Sequence, residues 1–171
     1  MTTTELLLAS IDEAYDKPSW HGTNLRGSLR GVTRAQAAWR AESGRHNIWE
    51  LLVHAAYWKY DIRRRLTGEK GHSPTLSEVS AGRRRVEGFA LEGSNFWSRP
   101  VKGSDAEWRA DLGLLQGEHD LLRAAVAAFP TSRWTRKAPG KPFNFEGLVR
   151  GVAAHDLYHA GQIQLLKRLQ S

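Results

Sequence analysis

The sequence contains no cysteine, and this absence removes several kinds of chemistry at once. A chain without thiols has no disulfide bonds, no thiolate ligands for a metal ion and no cysteine nucleophile. Any metal site must therefore be built from histidine, carboxylate or water ligands. Long apolar runs are also missing, because no segment approaches the roughly 20 residues that a membrane span requires.

The N-terminal segment has none of the features of a secretion signal. Residues 1–10 carry no basic group before their short apolar run, and Asp12 and Glu13 follow soon after it. We therefore expect a soluble, cytoplasmic protein with no membrane partner. A length of 171 residues suits a single domain over residues 1–171, with a core large enough to fold without structural metals or disulfides.

Positive charge is what the sequence has in excess. Lys and Arg number 25 against 18 Asp and Glu, which gives a net charge of +7. The two densest clusters are three consecutive arginines at 63–65 and at 83–85. Such clusters can bind phosphates, but neither is interleaved with aromatic residues and no nucleic-acid-binding motif is present. A solvated basic surface is therefore favoured over a nucleic-acid partner.

Hydrophobic spacing predicts helices and no strands. Amphipathic segments with the helical period occupy residues 3–15, 47–66, 104–129 and 144–170. The first three begin with the polar pairs of a capping box, namely Thr2 and Glu5, Asn47 and Glu50, and Ser104 and Glu107. Residues 69–103 are rich in glycine and predict an irregular connection with one helical turn near 76–86. We predict an all-α four-helix bundle with a long connection between its second and third helices.

The last helix carries the strongest functional pattern. At 3.6 residues per turn its inward face consists of Leu148, Val152, His155, His159, Gln162, Leu166 and Leu169. Two histidines four residues apart, at the centre of an apolar stripe, can point two nitrogens at one ion, and this spacing favours a metal site. The alternative is a pair of core histidines, each hydrogen-bonded to a carbonyl or a carboxylate.

Two other helices contribute further histidines. His54 lies beside Trp58 at the edge of the second helix's apolar stripe, a position typical of a partly solvated histidine. It becomes a candidate because the pair on the last helix needs a third ligand. The same stripe includes the stem of Lys59, whose charged end can extend to solvent. His119 is central on the third helix, where it could be a fourth ligand, an outer partner of the metal site or a core histidine, and we favour the last.

The loop at 20–25 is polar and contains glycine, yet it holds a tryptophan and a histidine. Because binding residues are often found on loops, His21 and Asn24 are candidates for the rim of a substrate site, and we include His119 with them. The alternative is an ordinary connection in which Trp20 covers the core.

Two motifs resemble those of a known family. Residues 155–163 read H-D-L-Y-H-A-G-Q-I and residues 49–58 read W-E-L-L-V-H-A-A-Y-W, and through both the chain resembles the DinB/YfiT-like family of metalloenzymes. The resemblance implies a four-helix bundle in which His54, His155 and His159 bind a divalent ion, zinc or nickel, with water in the open positions. It also implies a low-molecular-weight thiol as a candidate substrate, and a homodimer.

Side chains close to these histidines in the sequence complete the predicted site. Glu50 could accept a hydrogen bond from His54, act as a general base or cap its helix. Asp156 could accept a hydrogen bond from a histidine or lie at the surface. Gln162 could donate to bound water or substrate, and Tyr158 is assigned to packing.

The predicted site supports a metal-dependent hydrolase or thiol transferase that acts on a small molecule. Glu50 and Gln162 are its candidate catalytic groups, and the metal would activate water or a thiol. A non-catalytic metal-binding or structural bundle is the alternative, and a basic nucleic-acid-associated protein ranks third.

Overall fold

The structure is a computed structural model that describes residues 1–69, 89, 95–99 and 102–170. These residues form six α-helices and one short 3₁₀ turn, Thr131–Arg133, and they contain no strand. The helices in chain order are α1 Thr3–Tyr15, α2 Leu25–Leu29, α3 Arg34–Ala38, α4 Ile48–Thr67, α5 Asp105–Ala128 and α6 Phe145–Arg168. The all-α prediction is confirmed, and the four long predicted helices agree with the observed ones to within two residues at each end.

The four long helices α1, α4, α5 and α6 form the bundle. Helix α4 packs against α5 and α6, and α1 packs against the same two helices, while the short α2 and α3 lie on α6 and α4. Helix α4 ends at Thr67 and α5 begins at Asp105, so the long connection falls where it was predicted. The helical turn expected near 76–86 and the arginines at 83–85 lie outside the described residues. No helix in the described ranges is both long enough and apolar enough to cross a bilayer.

Local sequence signals explain where the long helices begin. The side chains of Thr2, Asn47 and Ser104 each accept a backbone hydrogen bond from the glutamate three residues later, which bonds back to complete a capping box. Asn144 caps α6 in the same way without the reciprocal bond. Each cap satisfies backbone donors that a helix leaves unpaired and contributes about 1 kcal/mol. Helix α4 ends at Gly68, whose φ of 79° is readily adopted only by glycine.

The apolar core consists of two clusters, and α6 passes from one to the other. Its residues up to Ala153 pack with α1 and the second half of α4, whereas Ile163 packs in the cluster around Trp49. The polar segment 155–162 lies on α6 between these two contacts. The candidate site therefore lies on the part of α6 between the two clusters, where Leu157 still packs against the cluster that contains Ala153.

Candidate metal centre

Helices α4 and α6 bring three histidine side chains together inside the bundle. His54 comes from α4, and His155 and His159 are one turn apart on α6. The Nε2 atom of His155 lies 3.1 Å from that of His54 and 3.0 Å from that of His159. His54 and His159 are buried and His155 is half-buried. The structure thus brings the three predicted ligands to one point, where they could hold a metal ion.

Hydrogen bonds at Nδ1 of His54 and of His159 determine the tautomers of these two rings. The Nδ1–H of His54 donates to the carbonyl oxygen of Asn95 at 2.6 Å, and that of His159 donates to Oε1 of Gln162 at 2.6 Å. Because a neutral imidazole carries one proton, both rings present an unprotonated Nε2. Only His155 can then place a hydrogen between the rings, and one hydrogen cannot satisfy two nitrogen–nitrogen contacts.

The two nitrogen–nitrogen distances to His155 fit a divalent ion, and all three nitrogens lie within 4.8 Å of one another. Bonds of about 2.0–2.1 Å in a tetrahedral site place neighbouring nitrogens roughly 3.3 Å apart, close to the 3.0 and 3.1 Å seen between the rings. The lone pair of His54 Nε2 accepts a hydrogen bond from Nε1–H of Trp58 at 3.1 Å, so a cation bound by all three Nε2 atoms would replace that bond as well as the hydrogen of His155. Three imidazoles are a donor set that suits zinc, nickel and neighbouring first-row ions.

Burial keeps the three imidazoles in the neutral form that binds metals. Loss of contact with water is the largest effect, and it lowers the pKa of His54 to about 4 and that of His155 to about 3. It lowers the pKa of His159 as well. Repulsion from neighbouring histidines acts in the same direction. Since a ligand must be deprotonated to bind, the rings are ready for a metal at neutral pH.

The acceptors that orient the histidines are not the carboxylates suggested by the sequence. The backbone carbonyl of Asn95 accepts the hydrogen bond from His54, so the expectation that Glu50 accepts from this ring is wrong. No carboxylate accepts from His159, since its partner is the amide of Gln162. The Nδ1 of His155 is buried and has no hydrogen-bond partner within the described ranges.

The amide of Gln162 is engaged at both ends. Its Oε1 accepts from His159, and its Nε2 donates to the hydroxyl of Tyr158 at 3.2 Å. Tyr158 is 64% exposed, so the expectation that it serves in packing is wrong. Gln162 therefore orients a ligand, and direct contact between this amide and a substrate stays a prediction.

Three roles were considered for Glu50, and the structure shows that it caps its helix. It is the third residue of the capping box that starts at Asn47, and its buried carboxylate also accepts from three other groups: Arg40 at 2.9 Å, His46 at 3.2 Å and the backbone N–H of Arg99 at 3.2 Å. Burial alone would raise the pKa of Glu50, but the hydrogen bonds from Arg40, Arg99 and His46 outweigh it and lower the pKa. A general-base role for this group stays a prediction.

Asp156 and Lys59 form an ion pair that is completely buried. Both residues are 0% exposed, and the Nζ of Lys59 donates to Oδ2 of Asp156. The expectation that Lys59 extends to solvent is wrong, and so are both roles considered for Asp156, histidine acceptor and surface residue. The pair joins α4 to α6 next to His155, so it helps to set the relative position of the helices that carry the ligands.

Two aromatic side chains cover His54. The ring of Phe96 stacks on it with 3.7 Å between centroids, and Nε1–H of Trp58 donates to its Nε2 at 3.1 Å. The sequence indicated Trp58 as a neighbour of His54 and Phe96 as a residue that holds the connection against the bundle, but it placed neither Phe96 nor Asn95 at the site. Both belong to the connection between α4 and α5, whose sequence has no periodic signal that could have placed them at the site.

Two cavities reach the histidines. The first, which we call the cleft, has a volume of about 540 Å³ and is lined by all three histidines with Phe96, Tyr158 and apolar residues of α4 and α6. The second, which we call the groove, has a volume of about 380 Å³ and shares only His155 with the cleft among the described lining residues. Both volumes fall within the usual range for small-molecule sites.

The predicted rim residues of the first loop lie elsewhere. His21 is exposed and shares a hydrogen bond with Ser19 in its own loop. Asn24 caps α2, where its Oδ1 accepts from the backbone N–H of Gly27 at 2.9 Å. Neither residue lines the cleft or the groove. The alternative for this loop was an ordinary connection in which Trp20 covers the core. Trp20 is fully exposed, so this part of the alternative is wrong.

His119 is buried in a different part of the bundle. Its ring stacks on Tyr15 with 3.8 Å between centroids, and its Nε2 lies 3.7 Å from Oδ1 of Asp12. Burial is the largest cause that lowers its pKa to about 3, and the charges of Lys59 and Arg123 act in the same direction. The core role favoured for His119 agrees with this placement.

An all-helical bundle that brings three neutral imidazoles to one point defines a candidate metal-binding protein. Comparison with known families agrees with this class, because the sequence profile of the DinB superfamily matches residues 19–163, which include all three histidines. The chain belongs to the DinB superfamily. No curated protein and no solved structure matches it.

Proposed function

We propose that this chain binds one divalent ion, zinc or nickel, through His54, His155 and His159 and uses it in thiol transfer or hydrolysis of a small molecule. The observation that carries the proposal is the convergence of the Nε2 atoms of three neutral imidazoles, of which only His155 can carry a hydrogen on Nε2. Membership of the DinB superfamily and a cleft lined by all three rings support it.

The residues of the chain hold and orient the ligands. When bound, a divalent ion with three neutral ligands supplies positive charge that lowers the pKa of a water or a thiol and polarises a carbonyl. Gln162 and the carbonyl of Asn95 keep Nδ1 of their rings protonated and fix the ring orientation. Phe96 covers one face of His54 and limits the approach of water from that side.

The surroundings of Glu50 favour thiol transfer over hydrolysis. Hydrolysis gains from a base that removes a proton from water, but Glu50 is held by hydrogen bonds that lower its pKa and weaken it as a base. A thiol, with a pKa of about 8.5, needs much less help to lose its proton than water does. We therefore place transfer of a low-molecular-weight thiol first and hydrolysis second.

The structure weakens one of the two basic clusters behind the third-ranked hypothesis, a nucleic-acid partner, whereas the arginines at 83–85 lie outside the described residues. Arg63 lies 3.2 Å from a carboxylate oxygen of Glu118. Arg64 and Arg65 both pair with Asp61, at 2.6 and 2.8 Å. Arginines engaged with carboxylates in this way contribute little free charge for phosphates.

Activity assays with matched variants test the proposal. Protein loaded with zinc or with nickel is assayed for transfer of cysteine and of related small thiols to a chromogenic electrophile, and for hydrolysis of a chromogenic ester. We expect turnover with the loaded protein, loss of turnover in His159→Ala, and retention in His119→Ala, which removes an equally buried histidine outside the site.

Two outcomes would contradict the proposal in different ways. Equal rates in wild type and His159→Ala would show that the reaction does not use the three histidines. Stoichiometric metal binding without turnover for any thiol or ester would instead support the non-catalytic alternative, a bundle that holds an ion.

A further inference from the structure

The groove is a second cavity at the metal centre, formed by α4, the first half of α6 and the loop before α6. Its walls are mainly apolar and its described lining consists of Trp58, Asp61, Ile62, Lys141, Phe143, Gly147, Leu148, Gly151, Val152 and His155. Phe143 is 60% exposed, a large apolar surface left open to solvent at the mouth of the groove. The ring of His155 lines both the groove and the cleft.

Lys141 is the only cationic side chain in the described lining of the groove. Asp61 is the only described carboxylate of the groove, and both oxygens of that group are held by Arg64 and Arg65 at 2.6 and 2.8 Å. Lys141 forms no ion pair with any residue that the structure describes. Its Nζ lies over the indole of Trp58, 5.7 Å from the ring centroid. A ligand that complements this surface has an apolar body and a single negative charge.

The loop that carries Lys141 is held in place. The backbone N–H of Lys141 donates to the carbonyl of Ala138 at 3.2 Å, and the N–H of Ala138 donates to the carbonyl of Phe143 at 3.0 Å. Arg65 on α4 donates to the carbonyl of Pro139 at 3.2 Å. The ammonium group and the aromatic wall of the groove are therefore positioned by a closed turn that is anchored to α4.

We infer that the groove binds a small amphipathic carboxylate, whose apolar body packs on Trp58 and Phe143 and whose carboxylate pairs with Lys141. One unpaired ammonium matches a monoanion, whereas a phosphate dianion usually requires several donors. Trp58 lies between this ligand and the metal centre, because its ring forms a wall of the groove and its Nε1 lies 3.1 Å from Nε2 of His54. The ligand would end beside His155, so it is the substrate class that the centre receives.

That last step rests on the proposed function, whereas binding of the carboxylate does not. The experiment therefore measures binding of 4-phenylbutyrate and of its uncharged amide by calorimetry, on zinc-loaded and on chelator-treated protein. We expect the carboxylate to bind about two- to fivefold more tightly than the amide in both samples. Preference for the carboxylate only in the zinc-loaded sample would place its contact at the metal and would overturn the role of Lys141.

Two lysines of the same loop supply a matched control. Lys141→Met should remove the preference for the carboxylate, and Lys137→Met, which makes the same charge change outside the groove, should leave it intact. Retention of the preference in Lys141→Met, or no binding of either probe by wild type at millimolar concentration, would overturn the inference. Failure of the metal proposal would appear separately, as absence of zinc from the loaded sample.

An exposed glycine in the lining of the groove provides a test that changes no charge. Gly151 lies on α6, and a Cβ atom added there would meet nothing within 4 Å. Gly151→Leu should fill part of the groove and weaken the binding of both probes. The fold should be kept, because leucine has a higher helix propensity than glycine. Gly117→Leu, on α5 and equally open, is the control and should bind both probes like wild type. Unchanged affinities in Gly151→Leu would show that the probes bind elsewhere.

Discussion

His119 and His155 have equivalent places in the sequence pattern but different surroundings in the bundle. Each is central on the apolar face of a long helix, and each has a buried Nδ1 without a hydrogen-bond partner among the described residues. The Nε2 of His155 meets two other Nε2 atoms at 3.0 and 3.1 Å. That of His119 faces a carboxylate oxygen of Asp12 at 3.7 Å, and its ring stacks on Tyr15. Convergence of lone pairs, more than burial, distinguishes a ligand from a core histidine.

The buried ion pair lies between these two regions. Lys59 bonds to Asp156, the neighbour of His155 in the chain, and its Nζ lies 4.9 Å from the centre of the Tyr15 ring that stacks on His119. One ammonium group thus contacts the residues that support both histidines. Substitutions at either histidine, or at the ion pair between them, therefore test whether the two histidines have different roles.

The largest effect is expected from removing a ligand. His155→Ala should lower zinc affinity by more than the roughly 10- to 100-fold that outer partners contribute, because one of three direct bonds is lost. His119→Ala should bind zinc like wild type. Competition with a chromophoric chelator measures both affinities. An equal loss in the two variants would remove the distinction between the two histidines.

Breaking the ion pair should have the next largest effect, on stability. Lys59→Met leaves Asp156 buried without its partner and should lower the free energy of unfolding by roughly 3–5 kcal/mol. The double variant Lys59→Met with Asp156→Leu should recover most of this loss, because no unpaired charge remains. Urea unfolding measures both. If the free energy of unfolding of Lys59→Met lay within about 1 kcal/mol of the wild-type value, the ion pair would not help to hold α4 and α6 in position.

A smaller effect is expected from the outer partner of His159. Gln162→Ala should weaken zinc binding about tenfold, because the ring loses the acceptor that fixes its tautomer and orientation. Gln162→Glu should keep or improve the affinity, since a carboxylate accepts the same hydrogen. Gln164→Ala, on the same helix, is the control. Equal affinities for Gln162→Ala and wild type would leave the amide without a role in ligand orientation.

At neutral pH the smallest effect is that of His119, and this effect grows as the pH falls. Its pKa is about 3 in the folded protein, mainly through burial, and about 6.5 in the unfolded chain. Between these values only the unfolded state binds the proton, so His119 makes stability fall as the pH decreases from 6.5, by up to about 1.4 kcal/mol per pH unit. His119→Gln removes this contribution.

Thermal or urea unfolding of chelator-treated wild type and His119→Gln between pH 7 and 4 measures this contribution. The stability difference between the two proteins should change with pH in favour of the variant as the solution becomes more acidic. A difference that stays constant over this range would mean that His119 is protonated in the folded state, as a histidine paired with Asp12 would be.

Local signals in the sequence were sufficient for much of the fold. Capping boxes at Thr2, Asn47 and Ser104 act over three residues, and helical periodicity acts over a few turns, so both can be recognised without knowledge of the tertiary structure. The same periodicity placed His155 and His159 on the buried face of their helix. The bundle and the two-histidine element of the site were therefore predictable.

Contacts between distant residues were not predictable from local patterns. His54 has an ambiguous position at the edge of its stripe, and only the resemblance to a family singled it out. Its acceptor, Asn95, lies 41 positions away in a connection without a periodic pattern. Lys59 and Asp156 are 97 positions apart, and each alone resembles a surface residue. Such pairs depend on how helices pack, which one-dimensional periodicity does not encode.

X-ray absorption at the zinc edge is the most direct test of the central claim that three imidazoles converge on one ion. The sample is protein purified without an affinity tag and loaded with one equivalent of zinc. We predict three imidazole nitrogens at about 2.0–2.1 Å from the zinc ion in wild type and two in His159→Ala. A first shell with no more than one imidazole, unchanged in the variant, would contradict it and would make all three histidines core residues.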